Sequence, residues 1–361
     1  MNIKAVAKKA GVSTATVSRT INGSDKVTPE TAERVRRAIE ALHFYPNTNA
    51  RSLGSGRSSM YGLIISDITN PFFPELVKAF EDIAVEHGQE VLIANTNYDP
   101  KRMEGCVTRM IQRKVDGVAI MTSEMEDHLI QVLNHKDIPL VFMDVGAPGP
   151  GVSRVVVNHA AGVSMAMDHL VDLGHRQIAF ISGPLNLFSA RERLGGYKES
   201  LKRHGLKLNP KLVVESNHRA DGGEAAMKQI LSSGAQLTAV VASNDLTAIG
   251  ALGAIHASGM RVPDDISIVG YDDIILSAYT QPSLTTLRLP RDQIATAAFR
   301  ALFNASQTES NGKKPHVGTD QDIQPTLVLR NSTAPVPGSR VRNRVAEERK
   351  VQIRSKEEVR Q

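Results

Sequence analysis

The stretch NIKAVAKKAGVSTATVSRTING, residues 2–23, has the pattern of two short helices joined by a tight turn. Asn2 suits the N-cap of the first helix, and Gly11 suits its end because glycine takes positive φ without a steric cost. Ser13 suits the N-cap of the second helix, in which Val17 would face back towards the first. The apolar residues of the first helix recur at helical spacing: Ile3, Val6, Ala7 and Ala10.

The segment VTPETAERVRRAIEALHF, residues 27–44, predicts a third helix with Thr28 as its cap and Pro29 at its first position. Three successive helices, the second following a short glycine-containing turn, match the helix-turn-helix plan. The second helix would carry short polar and methyl side chains outward, which allows close approach to base edges and phosphates in a major groove. The candidate DNA-binding residues are Ser13, Thr14, Ala15, Thr16, Ser18, Arg19 and Asn22. A small helical domain with an ordinary polar face remains the alternative.

Positive charge is concentrated at the two ends of the chain. Residues 1–59 carry ten lysines and arginines against four acids, and the tail from Gly338 carries eight against four. The whole chain has a net charge of only +5, so the part between is acidic. A basic head on an acidic body favours a polyanionic partner for the head.

The 361 residues exceed one ordinary core and predict two or three domains. An apolar content of 41% is typical of globular proteins. Cys106 is the single cysteine, so no internal disulfide framework and no multi-cysteine metal site is expected. The sequence shows no apolar run of membrane-spanning length and no signal-peptide pattern, and therefore predicts a cytoplasmic protein without cofactor, metal or membrane contact.

From Tyr61 onward, apolar β-rich runs alternate with amphipathic helical stretches. Apolar strands joined by helices indicate parallel sheets covered on both faces, and two such series predict two doubly wound α/β lobes. Ligands bind such folds outside the carboxyl ends of strands and between lobes. No phosphate loop or nucleophile elbow follows a strand, which disfavours an enzyme. The predicted strands lie within 62–68, 90–96, 117–122, 139–145, 154–158, 177–183, 212–216, 239–244 and 267–273.

The segment IKAVAKKAGVSTATVSRTING resembles the N-terminal signature of the lactose- and galactose-repressor (LacI/GalR) family of bacterial transcription regulators. DITNPFF (67–73), SARERLGGY (189–197), ASNDLTAIGAL (242–252) and GMRVPDDISIVGYDD (259–273) follow in the order that this family shows. The resemblance implies a homodimeric repressor of double-stranded operator DNA, whose affinity a small-molecule effector changes. It also implies a body like that of the periplasmic sugar-binding proteins, with three chain crossings between two lobes.

The resemblance divides the chain into four parts. Residues 1–45 would form the helix-turn-helix domain, and residues 46–58 a hinge helix or linker. Residues 59–335 would form the effector-binding and dimerisation domain of two interleaved lobes. Residues 336–361 would be a charged tail, which lacks sustained heptads and is interpreted as disordered, with nonspecific attraction to DNA as an alternative.

The resemblance also implies an effector site between the lobes. Arg193, Asp272 and Asn244 would offer donors and acceptors to vicinal hydroxyl groups, and Phe72 could cover the apolar face of a sugar. A sugar or sugar derivative is therefore expected, although His218 stands where relatives often carry an aromatic residue. Asp272 as a strand-end cap and Phe73 as core packing remain alternatives. The implied effector-binding residues are Asp67, Phe72 and Phe73 on one side, and Ser189, Arg193, His218, Asn244 and Asp272 on the other.

Other histidines, among them His159 and His175, show no metal-ligand spacing and are interpreted as surface or capping residues. In the segment PNTNARSLGSG, residues 46–56, the family places a hinge that becomes helical on DNA. Asn47 would cap it, Arg51 would contact DNA, and Leu53 would insert into the minor groove. An ordinary linker, with Leu53 packed on a neighbour, is the alternative.

Two other classes of protein remain possible on the sequence alone. The body by itself would suit a solute-binding receptor, which the basic head disfavours. A cleft with unspecific acid–base groups would also suit an enzyme.

Overall fold

The computed structural model describes residues 2–21, 23–45, 57–122, 127–134, 136–310 and 318–336. The chain divides into two compact units, Met1–Ser59 and Met60–Gln361. Asn22, Asn47, Arg51 and Leu53 lie outside the described residues, as does the tail from residue 337, so their proposed roles stay predictions. In the ranges above, no helix is long and apolar enough to cross a membrane.

The first unit contains the three predicted helices, Ile3–Ala10 (α1), Thr14–Ile21 (α2) and Pro29–Ala41 (α3). Their ends follow the predicted capping chemistry. Asn2 Oδ1 accepts a hydrogen bond from Ala5 N at 3.1 Å, and Gly11 has a φ of 66°. Ser13 Oγ accepts from Thr16 N at 3.1 Å, which fixes the start of α2. The helices enclose a small apolar core of Val6, Ala7, Ala10, Val17, Val35 and Ala38.

The second unit alternates strands and helices. Its strands are Met60–Ile65 (β1), Glu90–Asn95 (β2), Val118–Met121 (β3), Leu140–Met143 (β4), Val152–Val157 (β5), Ile178–Ser182 (β6), Val213–Glu215 (β7), Ala239–Ala242 (β8), Ser267–Asp272 (β9), Thr285–Arg288 (β10), Asp320–Ile323 (β11) and Thr326–Val328 (β12). Its helices are Phe72–Glu86 (α4), Pro100–Arg113 (α5), Asp127–Asn134 (α6), His159–Asp172 (α7), Phe188–Arg203 (α8), Ala220–Ser232 (α9), Asp245–Ala257 (α10) and Arg291–Ser310 (α11).

Two six-stranded sheets form the two lobes, which confirms the predicted architecture. The first sheet has the order β11-β5-β4-β3-β1-β2 and is parallel throughout. The second has the order β12-β10-β9-β8-β6-β7 and is parallel except for the antiparallel edge strand β12. Every strand predicted from the apolar runs is present.

The chain passes between the lobes three times. It leaves the first lobe after β5, returns between β10 and α11, and leaves again between β11 and β12. Helix α11 packs against α4 and against strands of the first sheet, although it follows a strand of the second. Each lobe is therefore completed by a late segment of the chain, which follows residues of the other lobe in sequence: β11 completes the first lobe and β12 the second.

Both faces of each sheet are buried, which explains the nearly continuous apolar strands. In β1, Leu63 and Ile65 join the core between the first sheet and helices α4 and α11. Ile64, between them, faces a separate core beneath α5 and α6. Successive side chains of β1 point to opposite faces of the sheet, as strand geometry demands, but neither face receives a polar side chain.

Helices α9 and α10 approach each other closely at Gly250, which gives a test of the fold. A Cβ at Gly250 would lie 1.8 Å from the carbonyl oxygen of Ala220, whereas one at Gly253 would meet no atom within 4 Å. We expect Gly250→Ala to lower the free energy of unfolding by about 1–3 kcal/mol through overpacking. Gly253→Ala, in the same helix, should raise it by up to about 1 kcal/mol through helix propensity.

Urea unfolding of the two variants and the wild type measures both effects. Equal stability of the two variants would contradict the close approach of these helices.

Candidate functional site

The first unit presents the outer face of α2 to solvent. Thr14, Ala15 and Arg19 are exposed, whereas Thr16 and Ser18 are half-buried. Ser13 is exposed, but its hydroxyl is engaged in capping and lies 2.9 Å from Thr16 Oγ1. The face consists of hydroxyl and methyl groups with one guanidinium at its end.

Exposed cations surround this small domain. Lys4, Lys8 and Lys9 lie on α1 and point to solvent. On α3, Arg36 and Arg37 are exposed and share the carboxylate of Glu33, at 3.6 and 3.2 Å. A single acid cannot neutralise two arginines, so the domain keeps a positive surface.

The second unit contains a cleft between its two lobes. The space between its lining atoms, with the open solvent at its mouth included, is about 590 Å³. Clefts between lobes are common sites for small molecules. Seven of the eight side chains that the resemblance implied line this cleft: Phe72, Phe73, Ser189, Arg193, His218, Asn244 and Asp272.

The eighth, Asp67, does not line the cleft but joins the two lobes beside it. Its Oδ2 lies 2.9 Å from Arg219 Nη2, and the same guanidinium nitrogen donates to Asn97 Oδ1 at 3.0 Å. Burial raises the pKa of Asp67, but hydrogen bonds from Thr69 and Arg219 outweigh burial and hold this pKa below its usual value. Asp67 is therefore a charged contact between lobes.

Phe72 and Phe73 open helix α4 and form the apolar wall on the first lobe. Their rings meet edge to face with centroids 5.2 Å apart, and both side chains also belong to the lobe's core. Leu187, just before α8, adds an apolar surface on the second lobe. For Phe73, core packing and cleft lining are thus compatible.

Arg193 is buried in the second lobe at the centre of the polar wall, with 6% of its surface exposed. Its Nη1 donates to the carbonyl oxygen of Ser243 at 2.6 Å, and its guanidinium carbon lies 4.0 Å from the ring centroid of Tyr271. Its Nη2 is 4.0 Å from Asp272 Oδ1. A buried guanidinium needs such partners because desolvation of an unpaired charge is costly.

Asp272 ends β9 and lines the cleft with a positive φ of 112°, a conformation that residues other than glycine rarely adopt. Burial raises the pKa of its carboxyl to about 7, despite the opposing charges of Arg193 and Arg291. Asp272 is therefore able to donate or to accept a hydrogen bond near neutral pH.

Asn244 holds the neighbouring loop in place. Its Oδ1 accepts from Thr247 N at 2.8 Å and caps α10, and its Nδ2 donates to the carbonyl oxygen of His218 at 2.9 Å. His218 has a φ of 62°, and its Nδ1 lies 3.3 Å from Ser243 Oγ. The amide thus positions His218 and retains one N–H for a ligand.

The burial of His159 contradicts the interpretation of the remaining histidines as surface or capping residues. His159 is 2% exposed, lines the cleft, and places Nε2 2.8 Å from Asp144 Oδ2. His175 is equally buried and bonds to Thr238 Oγ1 and to the carbonyl oxygen of Ala334, and burial lowers its pKa to about 4. His159 was missed because Asp144 lies 15 residues away in sequence, a spacing that no local motif shows.

The buried histidine His218 predicts a pH dependence of stability. Burial, followed by the charge of Arg193, lowers its pKa to about 3, against about 6.5 in an unfolded chain. As the pH falls, the unfolded state binds a proton first, so the stabilisation is present above about pH 6.5 and is lost as the pH falls towards about 3. We expect His218→Gln to reduce the slope of unfolding free energy against pH by up to about 1.4 kcal/mol per unit.

Urea unfolding between pH 7 and pH 4.5 measures this slope. The exposed His256→Gln is the matched control, expected to keep the wild-type slope. Equal slopes in all three proteins would contradict the burial of a neutral His218.

Comparison with known proteins identifies the family. Residues 2–47 match the model of bacterial regulatory proteins of the lacI family, and residues 167–333 match a periplasmic binding protein-like domain. The HTH-type transcriptional repressor PurR of Erwinia tasmaniensis is 35% identical over 337 residues, which cover 93% of this chain and 97% of that protein.

Solved structures agree with this assignment. A lac repressor dimer bound to operator and the anti-inducer ONPF has a TM-score of 0.79 and 30% identity, covering 92% of this chain and 99% of that one. A complex of the transcriptional regulator CelR with cellobiose has a TM-score of 0.69 and 31% identity over the same shares of the two chains. The chain described here belongs to the lacI family of bacterial regulatory proteins and is a DNA-binding transcriptional regulator.

Proposed function

We propose that this regulator is a repressor whose affinity for operator DNA depends on a neutral sugar or sugar derivative bound in the cleft. The observation that carries the proposal is the composition of the cleft. One wall offers donors and acceptors on Ser189, Arg193, Asn244 and Asp272, and the facing wall offers the aromatic ring of Phe72. Vicinal hydroxyl groups and an apolar ring face need this combination.

The charge balance of the cleft favours a neutral ligand. Among the described lining residues, Arg193 is opposed by the carboxyl groups of Asp144 and Asp272. His159 and His218 add no positive charge near neutral pH, because burial lowers the pKa of each. A sugar phosphate would bring negative charge into a buried space without excess cation, which is unfavourable. A free sugar would not.

Two ligand classes have to be distinguished, carbohydrates and nucleobases. One structural neighbour was solved with cellobiose, whereas the relatives in sequence include the repressor PurR. The apolar Leu187 beside α8 and the aromatic pair of α4 support carbohydrate in this chain.

For the head, we propose that α2 enters the major groove. Thr14, Ala15 and Arg19 would contact base edges, and Ser13, Thr16 and Ser18 would contact phosphates or support the face. Asn22, Asn47, Arg51 and Leu53 are proposed to complete the interface. The exposed lysines of α1 supply the nonspecific attraction to DNA.

We propose that two chains act together as a homodimer. Ile275, Leu276 and Tyr279 follow one another on the second lobe with 63%, 45% and 80% of their surfaces exposed. An exposed cluster of large apolar side chains is typical of a protein–protein interface. Two symmetric heads would then match the two halves of a pseudo-palindromic operator.

The proposed mechanism is thermodynamic linkage. A ligand changes operator affinity only to the extent that it binds one arrangement of the lobes better than another. Besides Asp67–Arg219, the lobes are joined by Glu75 of α4, which accepts from Ile275 N at 3.1 Å. Arg291, at the start of α11, also donates to the carbonyl oxygens of Asp272 and Asp273 in the second lobe. These contacts favour one arrangement, and a ligand between them shifts the balance.

We propose further that the cleft binds without catalysing a reaction and that the protein works in the cytoplasm, where its DNA is. Turnover of a bound sugar would contradict the first part.

A ligand screen tests the effector class. Glucose, galactose, cellobiose, hypoxanthine and guanine are added separately to the purified chain, and the melting temperature is measured, because a ligand of the folded state raises it. We expect a sugar to raise the melting temperature. Ser189→Ala should then lower the affinity for that sugar about 2- to 10-fold, the value of one hydrogen bond. Ser232→Ala, outside the cleft, should leave this affinity unchanged. A rise with a nucleobase alone would overturn the carbohydrate assignment.

Selection from a random pool of DNA duplexes tests the head. We expect the chain to enrich a pseudo-palindromic site. Arg19→Ala should weaken binding to that site by about 1–3 kcal/mol and reduce the preference for one base at one position of each half-site. Arg37→Ala removes the same charge from α3 and should leave the base preference unchanged. Enrichment of an asymmetric site would contradict the dimer, and an unchanged preference in Arg19→Ala would contradict the role of Arg19.

A further inference from the structure

The pair Asp144 and His159 lies in the cleft but belongs to both lobes. Asp144 directly follows β4 of the first lobe, whereas His159 begins α7, the first helix of the second. Their side chains are each 2% exposed, and His159 Nε2 lies 2.8 Å from Asp144 Oδ2. Asp144 Oδ1 accepts a hydrogen bond from Val157 N, also at 2.8 Å. The carboxylate is thus anchored to the backbone immediately before the first crossing.

The surroundings of His159 determine which ring nitrogen carries the proton. Arg193 Nε lies 3.3 Å from His159 Nδ1 and is always a donor. Tyr271 Oη lies 3.2 Å from the same nitrogen, and its hydroxyl can also donate. Nδ1 must therefore present its lone pair, and the proton must reside on Nε2, where Asp144 accepts it. Burial lowers the pKa of His159 more than the charge of Asp144 raises it, which agrees with a neutral ring.

This tautomer determines how Arg193 is held. Its Nε donates to His159 and its Nη1 to the carbonyl oxygen of Ser243. The remaining nitrogen, Nη2, faces Asp272 at 4.0 Å. If His159 carried its proton on Nδ1, two N–H groups would point at each other and the guanidinium would have to move.

We propose that Asp144 and His159 are positioning residues of the effector site. Asp144 fixes His159 as the Nε2–H tautomer, His159 anchors Arg193 through Nε, and Arg193 Nη2 with Asp272 is thereby presented to the ligand as a donor beside an acceptor.

The inference deepens the proposed function and rests on it for the ligand. Asp144 is supplied by the first lobe and Arg193 by the second, so the ligand-binding face of one lobe is set by a carboxylate of the other. A change in how the lobes meet at the crossing would alter the hydrogen-bonding pattern offered to the ligand.

The variant Asp144→Asn separates positioning from simple packing, because it preserves shape. The amide oxygen must face the fixed Val157 N–H, so the NH2 group faces His159 Nε2. That arrangement forces the histidine proton onto Nδ1, against Arg193 Nε–H. His159→Gln is the conservative variant that keeps both hydrogen bonds, since its amide can donate to Asp144 and accept from Arg193. Asp168→Asn is the matched control, because Asp168 pairs with His204 away from the cleft.

The experiment is nitrogen-15 NMR of the ligand-free full chain, with the His159 signal assigned by its loss in His159→Gln. We expect the Nε2–H tautomer in the wild type and in Asp168→Asn, and the Nδ1–H tautomer in Asp144→Asn. The Arg193 Nε proton should exchange with solvent at least about tenfold faster in Asp144→Asn than in the wild type, and nearly as slowly as wild type in His159→Gln. An Nδ1–H or doubly protonated His159 in the wild type, or unchanged Arg193 exchange in Asp144→Asn, would overturn the proposal.

Binding provides the second readout. For any sugar among glucose, galactose and cellobiose that binds the wild type, affinity should fall at least about tenfold in Asp144→Asn and stay within about threefold of the wild type in His159→Gln and Asp168→Asn. An unchanged sugar affinity in Asp144→Asn would also overturn it. Absence of sugar binding to the wild type would refute the proposed effector class, whereas the NMR result would still decide the role of Asp144 and His159.

Discussion

The buried guanidinium of Arg193 is the interaction around which the cleft is organised. A permanently charged group in a space with little water is tolerated only where its donors are satisfied and its charge is offset. Here a backbone carbonyl at the end of β8, an imidazole at the start of α7, an aromatic ring on β9 and a carboxyl at the end of β9 supply those partners. Three elements besides α8, which carries Arg193, must therefore be in place before this wall of the cleft exists.

The cleft is also tied to the contacts between the two lobes. Strand ends from both sheets meet at the cleft, and the chain crosses there three times. Beside it, Asp67 and Arg219 bring opposite charges of the two lobes together, and Glu75 of α4 accepts a hydrogen bond from Ile275 N of the second lobe. A bound molecule thus competes or cooperates with contacts that already exist between the lobes. This arrangement suits a switch with a small free-energy difference between its states.

The fold was largely predictable because its signals are local. Caps, helical spacing and apolar runs identified the head and nine of the twelve strands described for the body, β1 to β9. Of the other three, β11 reads DQDI, and no apolar pattern indicates it. It is held by pairing with β5 and by the ion pair of Arg154 with Asp320. For the cleft, the strand-end rule and the resemblance found Asn244 and Asp272. They did not find His159, because its partner Tyr271 is 112 residues distant and only the fold brings them together.

The three crossings have a consequence for synthesis. A head whose core comprises only residues within the first 45 can form as soon as it leaves the ribosome. The first lobe cannot, because its edge strand β11 ends at Ile323, and the second lobe needs β12, which ends at Val328. Neither lobe can be finished until nearly all of the body has been made. During translation, a DNA-binding head therefore exists before the part that regulates it.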